Sequence, residues 1–193
     1  SSLSVLEKYI TADIVVLMLL IGYEFIKAVR YAAMNRVLQK KVYIDGATGL
    51  PNRNKCDELL SQPDAAPEDT GVCSFDLNNL RIINNSMGHE AGDEYIRRFA
   101  VCLRASMSAE QFVGRAGGDE FIALLNDVTQ QDVEDIILQV QNEARCYNEF
   151  SKQIFIDFAF GYALSTHSRE TNLKLLLNQA DKNMYECKAR MKA

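Results

Sequence analysis

Three short stretches hold the side chains best able to do chemistry. In Ala116-Gly117-Gly118-Asp119-Glu120-Phe121, two glycines permit positive φ and close approach of a ligand to the main chain, and two adjacent acids open an apolar run. Alone, this stretch is equally an ordinary polar hairpin tip. Asp76 closes the otherwise apolar run Val72-Cys73-Ser74-Phe75, where a lone carboxylate has no packing role unless it caps a helix. If that run is a strand beside the hairpin, Asp76, Asp119 and Glu120 form a hard oxygen site of the kind Mg²⁺ prefers, with substrate phosphates completing the octahedron. The third stretch runs from Asn84 to Asp93 and carries Gly88, His89 and Gly92. An Asp there accepts from N1 and N2 of guanine while an Asn reaches the other edge atoms. The plainer alternative is a glycine-bearing loop with an acid in a first helical turn.

The elements that position these residues follow from periodicity and punctuation. Residues 10–41 form an unbroken helical stretch without proline; eight consecutive apolar residues, 14–21, are bracketed by Asp13 and Glu24 and fall short of the roughly 20 needed to span a bilayer. Ile14, Met18, Ile21, Phe25, Ala28, Ala32, Asn35, Gln39 and Val42 alternate by four and three, the spacing of a coiled-coil seam. A short helix is predicted over 52–60, a surface loop over 62–71, a strand over 72–77 and a helix over 91–107. Phe112-Val113 and residues 121–125 flank Gly117-Gly118, a hairpin with a two-residue turn. Thr129 to Asp132 is a capping box opening a helix, residues 155–165 read as a strand, and residues 172–192 as a last helix. This order lacks the strict β-α-β rhythm of a doubly wound sheet and fits an α+β, ferredoxin-like antiparallel sheet flanked by helices, preceded by a long N-terminal helix.

Composition narrows the function classes. The 193 residues have a net charge of −5, which argues against a nucleic-acid surface. Five scattered cysteines without a C-x-x-C pair read as small apolar residues in a reducing, cytoplasmic compartment. Zinc-protease and Walker-type motifs are missing, as is a signal-peptide pattern.

Five motifs in order carry a resemblance: Asp45-Gly46-Ala47-Thr48-Gly49-Leu50-Pro51-Asn52-Arg53, Phe75 through Arg81, Asn84 through Asp93, Gly114 through Phe121, and Ala180 through Lys188. Over residues 42–193 the chain resembles a GGDEF domain, the diguanylate cyclase family. The resemblance implies condensation of two GTP into cyclic di-GMP with release of two pyrophosphates. It assigns Mg²⁺ (or Mn²⁺) to Asp76, the Leu77 carbonyl, Asp119 and Glu120, and catalysis to Asp119 and Glu120. It assigns guanine to Asn84 and Asp93 with His89 in the same loop, and phosphates to the amides of Asn79 and Leu80 and to Lys188 and Lys192. Arg81 stands where the family usually has a lysine, placed to stabilise charge on the phosphoryl group.

One protomer holds one GTP in this scheme, so a homodimer is required, with residues 1–41 as a dimerising, signalling helix preceding a catalytic domain over 42–193; an upstream membrane tether is compatible with that helix. Ala47, Asn78, Asn79, Leu80 and Lys192 depart from the usual family residues. Ser108 and Gln111 fall where many members carry an inhibitory R-x-x-D product site, so that site is expected to be missing. The alternative is a GTP-binding regulatory module without turnover.

Overall fold

The computed structural model describes residues 2–62, 66–165 and 172–191. Lys192 lies outside the described residues, as does the side chain of Gln39. The chain divides into two compact units, Ser1–Val42 and Tyr43–Ala193.

The first unit belongs to α1 (Ser2–Tyr43). Of its heptad seam, Ile14, Met18, Ile21 and Phe25 are between 48% and 69% exposed, so an apolar stripe of the coiled-coil type is left uncovered within the chain. Among the described residues no helix is long and apolar enough to cross a membrane.

The second unit runs α2 (Arg53–Leu60), β1 (Gly71–Leu77), α3 (Leu80–Met87), α4 (His89–Ala105), β2 (Phe112–Arg115), β3 (Glu120–Leu125), α5 (Gln130–Phe150), β4 (Phe158–Leu164) and α6 (Leu173–Met191). The four strands form one antiparallel sheet in the order β2-β3-β1-β4, the ferredoxin-like arrangement. All seven residues of β1 are buried, as expected of a central strand covered on both faces.

Strand alternation sorts the side chains into two cores. Cys73, Phe75 and Leu77 of β1 share a face with Phe121, Ala123 and Leu125 of β3, against Phe99 of α4 and Val133, Ile137 and Val140 of α5. Phe99 meets Phe121 and Phe158 with ring centroids 5.1 and 4.9 Å apart. The opposite face carries Val72, Ile122, Leu124 and Ala163 beneath Cys56 and Leu60 of α2 and Leu176 and Ala180 of α6. Ala159, Gly161 and Ala163 make that face of β4 low, and α6 lies directly on it: a Cβ on Gly161 would stand 2.2 Å from the Met184 amide nitrogen.

Some local expectations change. Residues 80–87, for which the sequence predicts no helix, form helix α3, because Leu80 and Ile83 pack on the main core. The hairpin connection spans residues 116–119 rather than two glycines, closed by Ala116 N–H donating to the Glu120 carbonyl at 2.9 Å. Positive φ occurs at Gly49 and Gly88, and not at Gly117 or Gly118. Strand β4 starts at Phe158; Asn148 of α5 holds Ile156 through both its amide oxygen and its amide nitrogen, fixing residues just before the strand outside the ladder. The capping box forms as expected, Thr129 and Asp132 capping each other. All five cysteines are free thiols; burial pushes Cys56 and Cys73 up to about 12, so both are neutral packing residues.

Candidate active site

The acids sit at one end of the sheet, on the α6 face. Asp76 and Glu120 are directly paired across β1 and β3, and the next step of the same register joins Leu77 N–H to the Asp119 carbonyl at 2.9 Å. Their side chains continue the row begun by Val72 and Ser74 on β1 and by Leu124 and Ile122 on β3. The strands thus end their apolar rows in carboxylates. Asp76 is buried at 6% exposure, while Glu120 is exposed. Burial first, then the neighbouring charges of Asp119, Asp76 and Asp181, raise the Glu120 carboxyl above its ordinary value, with Arg53 opposing. Glu120 therefore feels three other acids at this corner.

The three expected metal carboxylates do not close into a ready-made cage: among the described residues, no three His, Cys, Asp or Glu side chains form a metal-holding group. The reason lies in where two of them point. Asp76 Oδ1 is ion-paired with the Lys188 ammonium from α6. The Glu120 side chain folds back over the hairpin, and a Cβ on Gly117 would stand 2.5 Å from Glu120 Oε2. The donor set still suits a hard divalent cation. Carboxylates on adjacent strands, a strand-end carbonyl at Leu77 and mutually unfavourable negative charge are what such an ion relieves.

Beyond β1 the chain makes a fixed turn into α3. Asn79 has φ of 63°, a left-handed conformation that Asn tolerates better than most residues. Asn78 N–H donates to the Asp157 carbonyl at 2.9 Å, and its side-chain amide donates to Asp157 Oδ2 at 3.0 Å. The buried Tyr95 hydroxyl lies 2.9 Å from the Asn78 carbonyl and 2.7 Å from that of Asp157, and burial pushes its pKa up to about 12. The amides of Asn79 and Leu80 thus open α3 on a braced turn, where the first N–H groups of a helix have no intrahelical partner. Arg81 follows on an exposed face.

The stretch 84–93 is a helix–helix corner rather than a loop. Asn84 lies in α3, Gly88 joins the helices at φ 90°, His89 opens α4, and Asp93 is exposed one turn later. The Asn84 side chain lies against Gly92, where a Cβ would meet its Oδ1 at 1.9 Å. That oxygen is buried and has no hydrogen-bond partner among the described residues, an acceptor suited to an incoming N–H donor.

Three contributors were not singled out by sequence reasoning. Arg115 braces the hairpin, Asp181 adds charge at the carboxylate corner, and Tyr95 pins the turn after β1. Arg115 and Asp181 stand inside two of the motifs. Tyr95 carries no signal, being an aromatic on the apolar face of a helix. A cavity of about 710 Å³ lies between β4 and α6 and includes none of the expected site residues.

The family model described as "Diguanylate cyclase, GGDEF domain" matches residues 42–193. A cyclic di-GMP phosphodiesterase, PdeB of Shewanella oneidensis, is 31% identical over 183 residues, covering 91% of this chain and 20% of that protein. The diguanylate cyclase DgcS of the same species is 25% identical over 170 residues, covering 85% of this chain and 54% of that protein. The chain spans about a fifth of the length of the first curated relatives it matches. The coiled coil and GGDEF domain of DgcB from Caulobacter crescentus, solved in complex with c-di-GMP, superposes with a TM-score of 0.76 at 18% identity, covering 90% of this chain and 94% of that one. The shared architecture is the four-stranded antiparallel sheet flanked by helices. With its five motifs in order and its sheet-end carboxylates, this chain belongs to the GGDEF domain family.

Proposed function

We propose that the chain is a diguanylate cyclase, condensing two GTP into cyclic di-GMP with release of two pyrophosphates. The observation that carries this is the direct pairing of Asp76 with Glu120 across β1 and β3, with Asp119 one step further on. Asp76, the Leu77 carbonyl, Asp119 and Glu120 would hold Mg²⁺ (or Mn²⁺), which when bound neutralises charge on the phosphates. In each half-reaction the 3′-hydroxyl oxygen of one GTP bonds to the α-phosphorus of the other, the α–β P–O bond breaks, and the hydroxyl proton and pyrophosphate leave. Asn84 and Asp93 orient guanine, with His89 beside them; a carboxylate at Asp93 suits the N1 and N2 donors of guanine and repels the N1 acceptor of adenine. The Asn79 and Leu80 amides and Lys188, with Lys192, take phosphate oxygens, and Arg81 balances developing charge.

Each protomer supplies one such half-site, so two copies must face each other across a twofold axis. Residues 1–41 serve as the dimerising helix that precedes a catalytic domain over 42–193 in the chain, and the exposed seam from Ile14 to Phe25 supports a second copy of α1 as its cover. A cytoplasmic setting and an upstream membrane tether are compatible with that arrangement.

Incubation of the dimer with GTP and Mg²⁺, with Asp119→Asn alongside, tests the reading. Cyclic di-GMP from the parent and none from the variant is expected; GTP binding without any product would favour a silent regulatory module. That second reading is supported by the phosphodiesterase names of the two first relatives, PdeB and PdeR, which are 31% and 28% identical.

A further inference from the structure

Resting on the cation and nucleotide sites proposed above, we propose that Lys188 is the exchangeable counter-ion of Asp76. It holds that carboxylate until nucleotide arrives and then transfers to the phosphates, so that metal and nucleotide bind together rather than independently.

The argument begins with burial. Asp76 is 6% exposed, and a carboxylate taken out of water at that depth is costly without a cation beside it. The Lys188 ammonium fills this role, with its side chain 24% exposed and that of Asp76 9% exposed. The rest of the corner is mainly negative: Asp119, Asp76 and Asp181 all act on Glu120, with Arg53 opposing them.

The helix carrying Lys188 is fixed while its side chain is not. Met184, one turn earlier, lies against the bare backbone of Gly161, and Asn183 donates from its side-chain amide to the Tyr162 carbonyl at 2.8 Å. Backbone motion of α6 is therefore restrained at the level of the site. The ammonium rides on a flexible four-carbon stem and can swing without moving the helix.

The ammonium sits on Asp76 Oδ1, so a divalent cation binding the same carboxylate meets a like charge beside it and binds most readily once Lys188 has moved away. Once a metal engages the acids of this corner, the ammonium finds a new anion in phosphates that enter with it. Metal alone has to displace Lys188 into solvent, whereas metal with a triphosphate gives it a new anion. The two ligands are thereby positively coupled, and by linkage each raises the affinity of the other by the same factor.

The test is a titration of the full chain with Mn²⁺ alone, followed by electron paramagnetic resonance of free Mn²⁺, and then repeated with a non-hydrolysable GTP analogue. In Lys188→Met, Mn²⁺ alone is expected to bind about fivefold more tightly than in the parent, the scale of losing one competing ion pair. The enhancement of Mn²⁺ binding by the analogue should shrink in parallel. Lys188→Arg keeps a cation and should retain the parent's weak binding of metal alone, and Asp76→Asn should bind weakly throughout. Equal or weaker Mn²⁺ binding by a Lys188→Met protein that remains folded at the assay temperature overturns the proposal, as does Lys188→Arg behaving like Lys188→Met. A parent protein that takes up no Mn²⁺ even with the analogue overturns the cation site itself and this inference with it. That result is distinct from a parent that binds metal while its Lys188 variants show no gain.

Discussion

Arg115 and Asp45, 70 residues apart in sequence, form a forked ion pair in which one guanidinium nitrogen lies 3.1 Å from each carboxylate oxygen. The other guanidinium nitrogens donate to the carbonyls of Gly117 at 3.1 Å and Gly118 at 2.8 Å. The hairpin that presents Asp119 and Glu120 is therefore tied to the turn at Asp45, which Thr48 closes from the other side through its N–H and hydroxyl. Arg115→Ala is expected to cost about 1.5–3 kcal/mol of stability, as for hydrogen bonds to charged groups, and to lower turnover further than that loss explains. Urea unfolding and product formation measured on the same samples check both.

The same pair carries a pH signature. Burial alone would raise the Asp45 carboxyl, but the hydrogen bonds from Thr48 and the Arg115 guanidinium outweigh it and hold it below its ordinary value. A depressed carboxyl stabilises the fold fully above its unfolded pKa of about 3.9 and loses that contribution as pH falls through the folded value. The difference in melting temperature between the parent and Asp45→Asn should be constant near neutrality and narrow in acid below about pH 4.

Asn84 carries a conflict between stability and binding. Its Oδ1 is buried without a partner among the described residues, so Asn84→Ala removes an unsatisfied acceptor and should leave stability unchanged or raise it by about 1 kcal/mol. Nucleotide binding should move the other way, with the KM for GTP rising about tenfold and discrimination against ATP declining. A melting temperature that falls by several degrees, or an unaltered KM, would count against this assignment.

Gly161→Ala introduces a methyl group against the Met184 nitrogen, the Ala180 oxygen and the Asn183 carbonyl carbon, all backbone atoms that cannot step aside singly. A loss of about 1–3 kcal/mol is expected from this overpacking. Because α6 carries Lys188, nucleotide affinity should fall as well, which calorimetry would register even in samples that remain folded.

Two predictions concern assembly and regulation. Phe25→Glu places a charge in the exposed α1 seam and should shift sedimentation from dimer towards monomer, with activity falling in step. Gln111 uses its side-chain amide on both the N–H and the carbonyl of Asn126, at 2.8 and 3.2 Å, and Arg104 is engaged with the Gln111 carbonyl at 3.0 Å. With Ser108 beside it and no arginine–aspartate pair, initial rates should be unaffected by added cyclic di-GMP at concentrations that saturate R-x-x-D sites.

The sheet and the carboxylate corner were legible because both rest on local alternation. Asp76 ends an apolar strand, Asp119 and Glu120 begin another, and neighbouring strands bring the ends together. Helix α3 was not legible, since its eight residues include Asn84, Asn85 and Ser86, poor helix formers held in place by tertiary contacts of Leu80 and Ile83. The Lys188–Asp76 pair joins residues 112 apart in sequence, and no pattern along the chain records which anion a lysine faces. Tyr95 escaped for the same reason: its hydroxyl works at the far end of a ring whose body simply fills the core.

The alternation that sends Phe75 and Phe121 one way sends Asp76 and Glu120 the other. Sliding either strand by a single position would push the acids among the phenyl rings and turn the rings outward, so a shifted chain could neither fold well nor coordinate anything. Oily contacts thereby proofread the alignment of the polar groups, since a strand out of register forfeits its core as well as its site.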